Sequence, residues 1–119
     1  MELKGWRDIP IGGMILEAGN SLQYKTGGWR AFRPLFGEAA CVHCMICWLF
    51  CPDTSILVDS EGVKMTGFDL DYCKGCGICA VECPVNQKVI RNAQKAGEDI
   101  QRDDARLCIR MLEEGKIEE

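Results

Sequence analysis

Residues 41–52 read "CVHCMICWLFCP" and residues 73–84 read "CKGCGICAVECP". Each stretch has four cysteines at the same spacing and a proline directly after the fourth, and the second lies 32 residues beyond the first. Together they hold eight of the chain's nine cysteines. Two copies at so short an offset point away from a solenoid and toward one small domain with pseudo-two-fold symmetry.

The spacing C-x2-C-x2-C-x3-C-P is the one by which bacterial two-cluster ferredoxins bind [4Fe–4S] clusters. Thiolates at every third position let a short loop wrap three corners of one cubane. The fourth cysteine sits on the following turn, faces the other way and ligates the other cluster. The expected assignment is therefore crossed. Cys41, Cys44, Cys47 and Cys83 take cluster I, and Cys73, Cys76, Cys79 and Cys51 take cluster II. Zinc favours isolated C-x2-C pairs, four ligands to an ion, and disulfides belong to oxidising compartments, so neither suits this pattern. With eight cysteines available, His43, the one histidine, is expected to be a loop residue without a metal role.

The two loops differ in kind. The second, "KGCGI", has Gly75 and Gly77, which allow close backbone approach to sulfur. The first has Val42, His43, Met45 and Ile46, then Trp48 and Phe50, whose rings are expected to pack around a cluster. Hydrogen bonds to sulfur and solvent access tune such clusters over roughly −700 to +450 mV, so the two are expected to differ in potential.

Between the copies, Ile56 to Val58, a turn cluster at 59–62 and Val63 to Thr66 read as a β-hairpin. From each third cysteine to the proline a short helix is expected, ended by that proline. Val89, Ile90 and Ala93 suggest further helical turns up to Gly97. In "DDARLCIRMLEEG", Asp103 or Asp104 would cap a tail helix with Leu107, Cys108, Met111 and Leu112 as its apolar stripe and Gly115 as its stop. Cys108 would be a small buried hydrophobe on that stripe. The fold class expected is α+β. It is a small pseudo-two-fold 2[4Fe–4S] ferredoxin-type domain of short β-hairpins and two short helices, with an irregular N-terminal arm and a helical C-terminal tail. The expected divisions are a partner-docking arm at 1–40, the cluster domain at 41–90 and a charged helical tail at 91–119.

A chain of 119 residues with nine cysteines has too small a core to rely on apolar burial alone. The N-terminus "MELKGWRDIP" lacks a signal-peptide pattern, and no apolar run approaches a membrane span. A cytoplasmic protein is expected, bound to neither membrane nor nucleic acid, the net charge being −4. That negative charge falls mainly on residues 41–85, with two Lys/Arg against six Asp/Glu. No phosphate-binding loop or nucleophile–base pair stands out. The chain is expected to carry electrons and to have no catalytic residue of its own.

Ahead of the first cysteine stands "TGGWRAFRPLF" at 26–36. Exposed apolar segments on a small protein usually mark an interface. Trp29, Phe32 and Phe36 are expected to anchor in partner chains, with Arg30 and Arg33 pairing with acidic groups there or on the cluster domain. This element, with "CVHCMICWLFCPD" and "GFDLDYCKGCGICAVECP", resembles the delta subunit of 2-oxoacid:ferredoxin oxidoreductases, pyruvate:ferredoxin oxidoreductase among them, over about residues 25–85. The resemblance implies alpha, beta and gamma partner chains holding thiamine diphosphate with Mg and using coenzyme A. It implies oxidative decarboxylation of a 2-oxoacid to an acyl-CoA, and electrons leaving to external ferredoxin through two [4Fe–4S] clusters held by the eight cysteines named above. The alternative is a free two-cluster ferredoxin or an iron–sulfur subunit of another soluble oxidoreductase. The chain departs from the family where "CPVNQKVIRN" replaces the hairpin return that commonly follows the second motif.

Overall fold

The computed structural model of the chain describes residues 2–116. Each cysteine loop must reverse before a helix can start, and both do so with left-handed backbone. Met45 (φ 64°) precedes helix α1, Ile46–Phe50, and Gly77 (φ 79°) precedes helix α2, Ile78–Glu82. Two residues earlier His43 (φ 53°) and Gly75 (φ 65°) take the same conformation. The second loop meets this demand with glycines. The first meets it with side-chain-bearing residues, at a cost of roughly 1 kcal/mol each.

Both helices are five residues long and stop at the fourth cysteine of their motif. After the first, the chain turns into an antiparallel hairpin of β2, Ile56–Asp59, and β3, Lys64–Phe68, with a bulge at Leu57/Val58. After the second there is no return strand. Pro84 opens helix α3, Pro84–Lys95, in the one helical position where its missing N–H costs nothing. The expected turns around Val89 to Ala93 lie on this helix, and Gly97 (φ 77°) lies just past it.

The tail is not a helix. Residues Ile109–Glu113 form strand β4, which pairs antiparallel with β1, Phe32–Phe36, so that Pro34 faces Met111 and Phe36 faces Ile109. The last residues of the expected arm and the tail thus close on one another. Within the strand Ile109 and Met111 are buried while Arg110 and Leu112 are half-buried, the alternation of a strand rather than a helix. Residues 117–119 of the expected tail lie outside the described residues.

The core is thin and rich in sulfur: Cys47, Ile56, Met65, Cys83, Cys108 and Ile109, with Phe36, Val58, Phe68 and Val85 packed against it. Residues 2–19 lie exposed, with short 3-10 turns at Ile11–Gly13 and Asn20–Gln23. The molecule measures 66 × 34 × 27 Å, and its radius of gyration is 18.7 Å, against about 13–14 Å for a compact chain of this length.

Candidate metal centre

The eight motif cysteines gather into two groups, each borrowing its fourth member from the other motif. Cys41, Cys44, Cys47 and Cys83 line one pocket, together with Met65 and Cys108. On the other side Cys51 lies close enough to Cys73, beside Cys76 and Cys79, to act on its ionisation. Cys47 acts likewise on Cys79, so the groups adjoin. Cys44 and Cys76, at the loop tips, are the exposed thiols, while Cys47 and Cys83 are buried.

Backbone amides converge on the sulfurs. The His43 N–H reaches Cys41 Sγ at 3.3 Å and the Ser55 N–H reaches Cys51 Sγ at 3.2 Å. The nearby amides of Trp48, Gly75 and Ala80 favour the ionised forms of Cys47, Cys73 and Cys79, but burial outweighs them. It raises the Cys47 and Cys73 thiols and, with Cys76 and Cys73 adding repulsion, pushes Cys79 up to about 12. Metal binding at these sites therefore displaces protons that the bare protein holds firmly. Among the described residues no three His, Cys, Asp or Glu side chains converge enough to hold one metal ion. Four thiols spread around a space and supplied with N–H donors fit an iron–sulfur cluster, in which such hydrogen bonds offset the sulfurs' negative charge.

Groups outside the motifs fix the two loops. Arg30, its side chain 9% exposed, reaches from the arm across the second loop. Its guanidinium donates to the carbonyls of Leu70 at 2.6 Å, Gly27 at 2.8 Å and Cys73 at 3.2 Å, and to Glu114 at 2.5 Å. Arg33 also reaches Glu114, at 3.2 Å. Partial burial opposes ionisation of Glu114, but the bonds from Arg30 and Arg33 prevail and hold its carboxyl below the usual range. Gly75 is needed where it stands, because a Cβ there would lie 2.0 Å from the Phe32 carbonyl oxygen. Gly27 is similarly pressed against Leu70. Lys74 in the second loop pairs with Asp53 behind the first at 2.6 Å, tying the halves together.

The aromatic residues divide differently from expectation. Phe36 packs edge-on to Phe68 at 6.5 Å, and Phe32 lies under the Arg102 guanidinium at 4.5 Å, so both serve their own chain. Trp29 stays 64% exposed, beside Tyr24. Trp48, Leu49 and Phe50 on α1 are exposed as well. His43 plays a structural part, since its Nδ1 accepts the Met65 N–H at 3.1 Å and so pins the first loop to β3.

A family model described as a 4Fe-4S dicluster domain matches residues 35–91. The pyruvate synthase subunit PorD of Thermotoga maritima is 54% identical over 84 residues, which cover 71% of this chain and 83% of that protein. The PorD subunit of Methanocaldococcus jannaschii is 49% identical over 66% of this chain and 88% of its own length. The chain belongs to the PorD family. The ketoisovalerate oxidoreductase subunit VorD of Pyrococcus furiosus is similar as well, 48% identical over half of this chain and 55% of its own length. The match to the dicluster domain carries iron–sulfur clusters to this PorD-family chain, and the names of its relatives describe subunits of larger oxidoreductases. Arg30 and Cys108 both lie outside residues 35–91. The sequence singles out Arg30 for pairing with an acidic group on a partner chain or the cluster domain; in the structure that acid is Glu114 of the tail, 84 positions away, and a second acceptor is the Leu70 carbonyl, 40 positions away.

Proposed function

We propose that the chain is the electron-relay subunit of a 2-oxoacid:ferredoxin oxidoreductase, with cluster I on Cys41, Cys44, Cys47 and Cys83 and cluster II on Cys73, Cys76, Cys79 and Cys51. The observation that carries this is the crossed gathering of thiols, Cys83 beside the first motif and Cys51 beside the second, in a chain of the PorD family. When bound, each cluster takes up and returns one electron. The chain's own residues hold the sulfurs with backbone amides, exclude water with Ile56, Met65 and Ile109, and keep the groups adjacent through the Lys74–Asp53 pair. In this reading alpha, beta and gamma chains carry out CoA-dependent oxidative decarboxylation with thiamine diphosphate and Mg. Electrons pass through this subunit to external ferredoxin in the cytoplasm. In this reading the exposed Leu3, Trp6, Ile9, Ile11, Ile15 and Leu16, ahead of β1, are the docking part of the arm.

The test is cluster loading and company. The anaerobically purified chain should hold about eight irons, and a thiamine-diphosphate-binding chain should copurify with it. Crossed ligation has a sharper consequence. Cys51→Ala and Cys73→Ala should abolish the same EPR signal, each leaving about four irons, and the double variant should lose no more. If the two variants lose different signals, the assignment is wrong. A stable holo-monomer eluting alone from native extract overturns the subunit reading.

A further inference from the structure

We propose that the groove beside Cys76, with Arg102 at its rim and the cationic face of α3 next to it, is the surface on which an acidic redox protein docks to take electrons from this chain. The proposal rests on the reading of the chain as an electron relay, and it names where the electrons leave.

The groove has a volume of ≈ 340 Å³ and is lined by Cys76, Gly77, Val81, Ile90, Arg102 and Met111 among others. Cys76 and Cys44 are the exposed motif thiols, so a partner comes nearest to the cysteine groups at these two tips. Their surroundings differ. Cys44 shares its pocket with Val42, Met45 and Val85, and no lysine or arginine lines it. Beside Cys76 stands Arg102, exposed, with its guanidinium 4.5 Å over the Phe32 ring. Its backbone is fixed as well, since its carbonyl accepts the Met111 N–H at 2.9 Å.

Helix α3, which supplies Ile90 to the groove, adds to this charge. Over Pro84–Lys95 it carries Lys88, Arg91 and Lys95 and no acidic residue. Spacings of three and four put these cations on one face, and all are exposed. Among the described residues neither they nor Arg102 form an ion pair. Arg106, beyond the helix, is by contrast taken up by Glu98 and Asp104. The uncompensated cations stand on a chain whose net charge is −4, and whose residues 41–85 hold six Asp/Glu against two Lys/Arg. An acidic protein is repelled by the rest of the cluster body and steered to this edge. Permanent interfaces exclude charge from their centres, while electron-transfer contacts are small and short-lived. The apolar residues of the arm suit the first kind and this edge suits the second. One electron passes from the reduced chain to the acceptor's oxidised centre, and no bond is made or broken.

The test uses the full-length holo protein, purified anaerobically with the chains that accompany it, and an acidic ferredoxin as probe. Carbodiimide, which joins amines to carboxylates in contact, should link Lys88 or Lys95 to the ferredoxin, the linked peptides being read by mass spectrometry. Stopped-flow transfer from the reduced protein, freed of excess dithionite, should slow as salt rises. In a variant combining Lys88→Gln, Arg91→Gln, Lys95→Gln and Arg102→Gln, iron content should be unchanged. Its low-salt rate constant should fall about ten-fold or more, and the salt dependence should flatten. Transfer to a basic cytochrome c should not fall. The triple variant with Arg102 intact should move in the same direction, and it serves if Arg102→Gln loosens the fold. A wild-type rate and salt profile in these variants, cross-links only at other lysines, or an equal fall with cytochrome c would overturn the proposal. Retained transfer with loss of the copurifying chains would do so too, and would make α3 a subunit contact. A wild-type protein that holds iron but passes electrons to neither acceptor would instead overturn the relay reading.

Discussion

At the scale of single residues, the two glycines of the second loop are not equivalent, although both have positive φ. A Cβ at Gly77 meets nothing within 4 Å, whereas one at Gly75 meets the Phe32 carbonyl oxygen. Gly77→Ala should therefore cost only the left-handed strain, about 1–2 kcal/mol, with the arm in place. Gly75→Ala must lift the arm off the loop, and limited proteolysis should then cut near residues 30–33. Equal protease resistance in the two variants would contradict this. Arg30 is a second case. Replacing it with Met leaves three carbonyls without their donor and Glu114 with Arg33 alone, and should cost about 1–3 kcal/mol, read as faster loss of iron–sulfur absorbance in denaturant. Because the folded state holds the Glu114 carboxyl low, its contribution is full above the unfolded value of about 4.3. It is lost as pH falls through the lower folded value. Glu114→Gln should accordingly destabilise the chain at neutral pH, its disadvantage starting to shrink below about pH 4 and vanishing only below the folded value. A gap between the two proteins that did not depend on pH would rule the carboxylate out.

At the scale of elements, β4 and the two residues before it supply much of the core, since Leu107, Cys108, Ile109 and Met111 are all buried. Ile109→Ala should destabilise the chain by about 2–4 kcal/mol. Trp29→Ala, on an exposed side chain, should change unfolding by less than about 1 kcal/mol. A comparable effect from both would mean that the arm, not the strand, closes the core. This strand also marks the limit of what is legible in the sequence. The cysteine spacing leads to two short helices, one hairpin and the gathering of the thiols, because cluster geometry dictates local backbone over a dozen residues. The tail deceives because Leu107, Cys108, Met111 and Leu112 also fit a helical stripe. What decides between strand and helix is the partner strand β1, more than seventy residues earlier, and no local period reports it.

At the scale of the whole molecule, a dense cluster body carries a long exposed arm. Trp6, Ile9 and Leu16 lie on that arm without contact to the core. Replacing the three with serine should leave iron content and both EPR signals intact while reducing copurification of the partner chains at least several-fold. Loss of clusters with assembly retained would give the arm the opposite role. The body itself is closed by Arg30 and Glu114, 84 residues apart, and by β1 with β4. Contacts so distant in sequence carry a large loop-closure entropy and form late. During synthesis both cysteine motifs leave the ribosome before β4 exists. The nascent chain therefore passes through a stage in which its thiols are displayed and the clasp is open. A cluster inserted at that stage would be enclosed once β4 pairs with β1, so the strand would act as a latch.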